Sequence, residues 1–326
     1  MSLAEVVSVL QEKQSFVITG HVSPEGDVIG SGMALALALR DMGKTAEVVN
    51  RDPIPQQLLF LPHEGLFTRQ KAITQTADAL IVVDSGSFER TGYARPPSIP
   101  TMINIDHHIT NPSYGNINWV VPTAMATGEM IYDLLKTIGA PITPPIATCI
   151  YTALITETGS FRFVNTTSRA LQIAGEMIEK GADPFRIATA LFEANTAGRL
   201  KLLAEVLMKM EVSADERIAW IHVSDEQLRK TGTSFEDTED FVTYPRSIEK
   251  VEVAVFFRET GPEQYKISFR SQGKVDVALL AKCWGGGGHT YAAGCTLGGS
   301  WQKVKEWVLT SVQEAIYEKI SLNVSR

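Results

Sequence analysis

Paired cysteines, a long apolar run and an excess of positive charge are all missing from this chain of 326 residues. Only Cys149, Cys283 and Cys295 carry thiols, and no two form a C-x-x-C pair. That argues against both a disulfide framework and a structural zinc site, so buried thiols in a reducing compartment are the expectation. No stretch reaches the roughly 18 consecutive apolar residues of a membrane span. The longest candidate, 33–39, reads as helix. Met1-Ser2-Leu3-Ala4-Glu5 shows no basic segment leading into an apolar one, so neither a signal peptide nor membrane attachment is expected, and a soluble cytoplasmic protein is. The formal net charge of −7 excludes a surface that gathers long nucleic acid by charge alone. It leaves room for a small anion in a local positive or metal-lined pocket.

What is present is apolar material for two cores: 44% of the residues are hydrophobic, and the length exceeds one ordinary domain. Between 15 and about 110, short apolar runs at 16–20, 46–50, 79–83 and 101–105 alternate with helical stretches such as 29–42. That alternation predicts an α/β fold with a doubly wound, mostly parallel sheet. Residues 124–195 read as helices, with Gly181 fitting a C-cap. The texture then changes to strand runs at 218–223, 251–258, 264–270 and 292–297, with helices near 275–283 and 301–318. The organisation expected is a first domain over 1–195, a helical linker over 196–212 and a smaller α+β domain over 213–326.

Three apolar runs end in ligand-type side chains. Asp106-His107-His108 closes the run at 101–105, Asp84 closes 79–83, and His21-x-x-x-Glu25-x-Asp27 follows 16–20. In an open α/β sheet, ligands bind outside the carboxyl ends of the strands, so these groups converge at one edge. Pro24 and Gly26 predict a tight, non-helical loop carrying Glu25 and Asp27, and Gly30 a close helix approach. Each element has an ordinary structural explanation alone: a buried hydrogen-bonded histidine, or acids capping a helix. Together, mixed imidazole and carboxylate donors suit a divalent ion such as Mn2+, with Mg2+ or Co2+ as alternatives. Seven candidates exceed the needs of one ion. Two ions about 3.5–4 Å apart, sharing a carboxylate, would use them for phosphoryl displacement. Glu157, in Thr156-Glu157-Thr158-Gly159-Ser160, adds an acid at a helix end.

In the second half, Gly285-Gly286-Gly287-Gly288-His289 precedes Ala292-Ala293-Gly294. Four glycines in a row are costly in backbone entropy, and exposed N–H groups can form an anion-binding nest. Arg270-Ser271 just before it would supply a clamp for phosphate or carboxylate.

These motifs, in this order, resemble the DHH/DHHA1 phosphoesterases, and within them the bacterial bifunctional nanoRNase (oligoribonuclease)/pAp phosphatase subgroup. The resemblance runs through His21–Ser31, Asp84, 104–108, 156–161, Arg270-Ser271 and 285–294. It implies one ion held by His21, Glu25 and Asp84 and a second by Asp27, Asp84, His107 and Glu157, with Asp84 bridging. His108 would contact the scissile phosphate, and Asp106 would orient the histidines. Arg270, Ser271, Gly286, Gly287, Gly288 and His289 would hold the far phosphate or terminal nucleotide. The family pattern usually has Asp where this chain has Glu25 and Glu157.

The function implied is hydrolysis of short oligoribonucleotides to mononucleotides by two-metal activation of water, with phosphatase activity on 3′,5′-bisphosphonucleotides (pAp). Substrates of about two to five nucleotides suit a negative chain, since long strands call for an extended basic track. Linear or cyclic dinucleotides (pApA, pGpG, c-di-AMP) are alternative substrates. A family-II-type pyrophosphatase shares the first-domain motifs but not the glycine–histidine element. A nucleotide sensor with a weakened metal site is the alternative of another class, motivated by Glu25 and Glu157. A homodimer is expected by analogy alone.

Overall fold

Apolar runs of the first half become strands because both faces of each are covered, which lets them read as continuous hydrophobic stretches rather than alternating ones. The computed structural model describes residues 3–94, 98–193 and 195–324, with side chains to Tyr317. The outer limits of the two expected domains, 1 and 326, lie outside the described residues. Two compact units divide the chain, Met1–Ala194 and Asn195–Arg326. No helix among the described residues is long and apolar enough to cross a membrane.

The first unit runs α1 (Leu3–Glu12), β1 (Ser15–Thr19), α2 (Gly26–Asp41), β2 (Thr45–Asn50), β3 (Phe67–Arg69), β4 (Ala79–Val83), β5 (Thr101–Asp106) and β6 (Ile117–Val120). Helices α3 (Thr127–Ile138), α4 (Pro144–Glu157), α5 (Ser168–Glu179) and α6 (Pro184–Phe192) follow. The six strands form a sheet in the order β3-β2-β1-β4-β5-β6. Every pairing is parallel, as the alternating pattern predicted. Phe16 and Ile18 face the larger core with Ile81 and Ile103. Val17, Leu80 and Val82 face a smaller core on the other side with Phe88 and Tyr93.

The chain leaves β1 toward β2 and β3 on one side, while β4, β5 and β6 lie on the other. The order therefore reverses between β1 and β4, and the carboxyl ends of the strands at such a switch point are where open α/β sheets bind ligands. Sequence reading missed β3 and β6, both short.

Helix α2 begins three residues before the predicted start, at Gly26, with Glu25 in an extended N-cap conformation. The tight turn thus ends at Glu25, and Asp27 occupies the first helical turn, where a carboxylate is favoured by the helix dipole. This corrects the expectation of a non-helical loop through Asp27. Gly30 does permit close approach: a Cβ there would lie 2.5 Å from the Cys149 carbonyl of α4. Gly181, at φ +103°, follows α5 as predicted.

The second unit runs α7 (Ala197–Met208), β7 (Glu211–Val212), β8 (Ile218–Val223), α8 (Asp225–Thr231), α9 (Thr243–Arg246), β9 (Val253–Gly261) and β10 (Gln264–Ser271). It ends with α10 (Val277–Lys282), β11 (Gly287–His289), β12 (Ala292–Gly298) and α11 (Trp301–Val324). Its sheet has the order β11-β12-β10-β9-β8-β7. Only β8 and β9 pair in parallel, the others antiparallel, which makes the sheet mixed. The segment 196–212, read from sequence as a connection, is mostly α7. Its Leu202, Leu203 and Val206 are buried with Phe241 and Phe256 of the same unit.

Candidate metal centre

At the switch point the strand ends deliver His21 after β1, Asp84 after β4 and Asp106 at the end of β5. Asp27, Asp84 and Asp106 are 0–1% exposed, and His21, His107 and His108 are 5–7% exposed. Asp84 adopts φ +51°, a left-handed conformation unfavourable for a residue with a side chain. It is held there by the donation of its N–H to the Ile105 carbonyl at 3.0 Å.

Main-chain carbonyls only accept hydrogen bonds, and this fixes two of the imidazoles. His21 Nδ1 donates to the Val22 carbonyl at 2.8 Å, and His107 Nδ1 donates to the Ala124 carbonyl at 3.2 Å. Each ring then turns Nε2 toward carboxylates. His21 Nε2 lies 3.0 Å from Glu25 Oε1 and 3.8 Å from Asp84 Oδ2. His107 Nε2 lies 3.3 Å from Asp84 Oδ1 and 3.9 Å from Asp27 Oδ2. A ring lone pair facing a carboxylate is repulsive unless a proton or a cation stands between them. Without an ion, protons take that place. Burial opposes the charge on His21, but Glu25 and Asp84 outweigh it and push the ring up to about 9. Burial likewise opposes His107, which Asp84 carries well above the ordinary imidazole value.

The acids show the complementary strain. Burial and the nearby Asp84 push Asp27 up to about 7. Burial also raises Glu157, which feels Glu25, Asp27 and Asp84 against the attraction of His107. Asp84 resists its own burial because His107, His108 and His21 surround it, and it stays well below the usual carboxylate range. Two sets of donor atoms are tight enough to hold a metal ion in a shared position, His21–Glu25–Asp84 and Asp27–Asp84–His107, and Asp84 belongs to both. A third, Asp84–Asp106–His108, adjoins them. Glu157 joins no such set among the described residues.

The donor chemistry therefore fits divalent ions: oxygen and imidazole donors, buried, with more carboxylates than local cations. Second partners hold the donors in place. Asp27 Oδ2 accepts the N–H of Thr127 at 2.7 Å. Its Oδ1 accepts from Gly128 N–H at 2.8 Å and Ser31 Oγ at 2.9 Å. Asp27 thus caps α3 from a hundred residues away. Asp106 Oδ1 accepts from His108 Nδ1 at 2.7 Å. Asp106 orients His108 only, because His107 is held by Ala124, which corrects the expectation that it orients both rings.

Sequence reading missed Thr127, whose hydroxyl donates to Asp84 Oδ1 at 3.1 Å. It also missed Arg90, whose Nη1 donates to His108 Nε2 at 3.2 Å. Neither sits in a recognisable motif.

In the second unit, Arg270 lies opposite Ala292, which lies opposite His289, so three strands align these positions in one row. Ser271 points to the other face of β10. It is 1% exposed, and its hydroxyl accepts the Gly273 N–H at 2.9 Å. The expected Arg270–Ser271 clamp is therefore not formed, because neighbouring residues on a strand face opposite ways. The glycine run is not a free nest either, since Gly287 and Gly288 pair with β12 as a strand. A Cβ on Gly286 would lie 2.1 Å from the Gly294 carbonyl, and one on Gly288 2.4 Å from that of Ala292. A Cβ on Gly287 would meet nothing within 4 Å.

Comparison with known proteins bears on the family and the fold. Residues 15–154 match the DHH family, N-terminal domain, and residues 218–318 match the DHHA1 domain. The chain is 35% identical over 300 residues to the bifunctional oligoribonuclease and PAP phosphatase of Thermus thermophilus, covering 92% of this chain and 89% of that protein. It is 28% identical to the protein of the same name from Bacillus subtilis, covering 90% and 92%. An exopolyphosphatase-related protein from Bacteroides fragilis superposes with a TM-score of 0.85 at 27% identity, covering 98% and 97%. With its metal-competent strand ends and its matched second unit, the chain belongs to the DHH family, its DHH domain followed by a DHHA1 domain.

Proposed function

We propose that this protein is a metal-dependent phosphoesterase that hydrolyses short oligoribonucleotides to mononucleotides and acts as a phosphatase on the 3′,5′-bisphosphonucleotide pAp. The observation that carries the reading is Asp84, whose two oxygens face His21 on one side and His107 on the other. The names of the relatives, matched along 92% and 90% of the chain, support the substrate class.

In this reading His21, Glu25 and Asp84 hold one ion, and Asp27, Asp84 and His107 hold the other, with Glu157 as a further ligand. Mn2+ is the preferred ion, with Mg2+ or Co2+ as substitutes, because mixed imidazole and carboxylate donors suit it. When bound, the ions lower the pKa of a water and neutralise charge on the phosphoryl oxygens. The chain's own residues do the rest. Val22 and Ala124 carbonyls keep the histidine lone pairs turned inward. Thr127 and Gly128 hold Asp27 by their N–H groups. His108, oriented by Asp106, belongs to the side of the site that meets the phosphate. Arg270, His289 and the bare edge at Gly287 bind the distal phosphate or terminal nucleotide. Gly286 and Gly288 shape that edge, and Ser271 braces the turn after β10.

The test is incubation of the purified chain with Mn2+ and, separately, a labelled diribonucleotide, a pentanucleotide, an oligomer of about two dozen nucleotides, pAp and pyrophosphate. Loss of the short RNAs and pAp, with the long oligomer and pyrophosphate spared, is expected. Preferential hydrolysis of pyrophosphate would replace this reading with a pyrophosphatase. Nucleotide binding without any turnover would replace it with a sensor.

A further inference from the structure

His108 has no N–H left to offer a substrate. Its Nδ1 donates to Asp106, and its Nε2 accepts from Arg90, since a guanidinium can only donate. The Asp106 carboxylate is fixed in turn by Asn111 Nδ2. The chain of contacts therefore runs outward, from a buried acid through a buried ring to an exposed cation.

Arg90 lies in the 3-10 turn Phe88–Thr91, directly after the Asp84 loop. Its carbonyl accepts the Val22 N–H at 2.8 Å, which ties the turn to the His21 loop. Its charge reaches both His21 and Glu25, so the guanidinium stands beside the metal-competent set. Among the described residues no carboxylate lies within ion-pair distance of it. The contact with His108 uses one of its five N–H groups. An anionic substrate approaching the clustered acids needs a cation to meet it, and Arg90 is an exposed cation aimed there by His108.

We propose that Arg90 binds the substrate's phosphate directly, donating to two non-bridging oxygens, and that Asp106 and His108 are positioning residues that hold the guanidinium in register. This rests on the phosphoester reading above and assigns its phosphate contact to a residue outside the metal-ligand motifs. Bidentate donation to phosphate is what a planar guanidinium does and an ammonium does not.

The experiment uses the full chain loaded with Mn2+ and compares wild type, R90Q, R90K and R90A. Calorimetry reads Mn2+ uptake and then the affinity for inorganic phosphate and for adenosine 5′-monophosphate. Kinetics on a diribonucleotide follow, with and without added guanidinium ion. Mn2+ uptake is expected to be unchanged, phosphate affinity to fall about tenfold in R90Q and R90A, and kcat/KM to fall about a hundredfold. R90K should lie between, and guanidinium should restore part of the R90A rate. Wild-type phosphate affinity in R90Q would overturn the proposal, because that variant keeps a neutral donor and loses the charge. Loss of Mn2+ uptake in all three variants would also overturn it, by assigning Arg90 a structural role. If the wild type turns over no phosphoester yet loses phosphate affinity in R90Q, the functional reading fails and Arg90 remains an anion site.

Discussion

Thr127 joins the two central acids: its main-chain N–H donates to Asp27 Oδ2 at 2.7 Å, and its hydroxyl donates to Asp84 Oδ1 at 3.1 Å. The start of α3 is thereby coupled to the β4 loop. Thr127→Val keeps the first bond and removes the second. Outer partners of ligands typically change metal affinity about 10–100-fold, so Mn2+ affinity should drop about tenfold and recover in Thr127→Ser. Unchanged affinity in the valine variant would mean that the hydroxyl orients nothing.

Asp84→Asn removes the charge common to both donor sets while keeping the size of the side chain. Turnover of a diribonucleotide should fall by at least about a thousandfold, and the ion-free variant should melt below wild type at neutral pH, since the buried His21 and His107 charges lose the carboxylate they face. Near-normal turnover would refute a shared carboxylate.

Protons and metal compete for the same nitrogens. His21 is pushed up to about 9 and His107 well above its ordinary value, so both are charged in the ion-free protein at neutral pH. Their folded values exceed the unfolded one of about 6.5, so the stabilisation they give is complete below about pH 6.5; the His21 part is lost as pH rises through about 9, and the His107 part is likewise lost on the alkaline side. Asp27, pushed up to about 7, adds a loss between about pH 4 and 7. The ion-free protein should therefore melt lower at pH 9 than at pH 6. Mn2+ affinity should rise over the same interval, with proton release on binding. The acid limb of activity then lies above the value of about pH 6 that ordinary histidine ligands would give. Mn2+ affinity independent of pH between 6 and 9 would contradict this.

The glycines just before and within β11 have two distinct jobs. Gly286→Ala forces a Cβ against the Gly294 carbonyl and Cys295, and such overpacking costs about 1–3 kcal/mol. Gly287→Ala meets no neighbour, so it should leave the melting temperature alone and raise KM for the pentanucleotide. A pair of variants that behave alike in both measurements would mean the bare edge at Gly287 has no part in binding.

The sheet and the gathering of ligand-type residues at its edge were legible because apolar runs and polar strand ends are local signals: 79–83 and 218–223 match β4 and β8 residue for residue. Some local signals went unread. Ser224 and Gln227 form a capping box at α8, and Gly232 ends that helix at φ +66°. Other features were beyond a linear reading. Asp27 capping α3, the Thr127 bond to Asp84 and the Arg90 contact with His108 all join residues far apart in sequence. The failed Arg270–Ser271 clamp shows the opposite limit, since adjacency on a strand separates side chains rather than pairing them.

The most direct test of the central claim is a calorimetric titration of Mn2+ into ion-free protein, wild type beside Asp84→Asn. Two ions per chain are expected in the wild type, and loss of tight binding at both positions in the variant, because both donor sets contain Asp84. One ion in the wild type, or two ions bound equally well by the variant, would contradict a two-ion site built around that carboxylate.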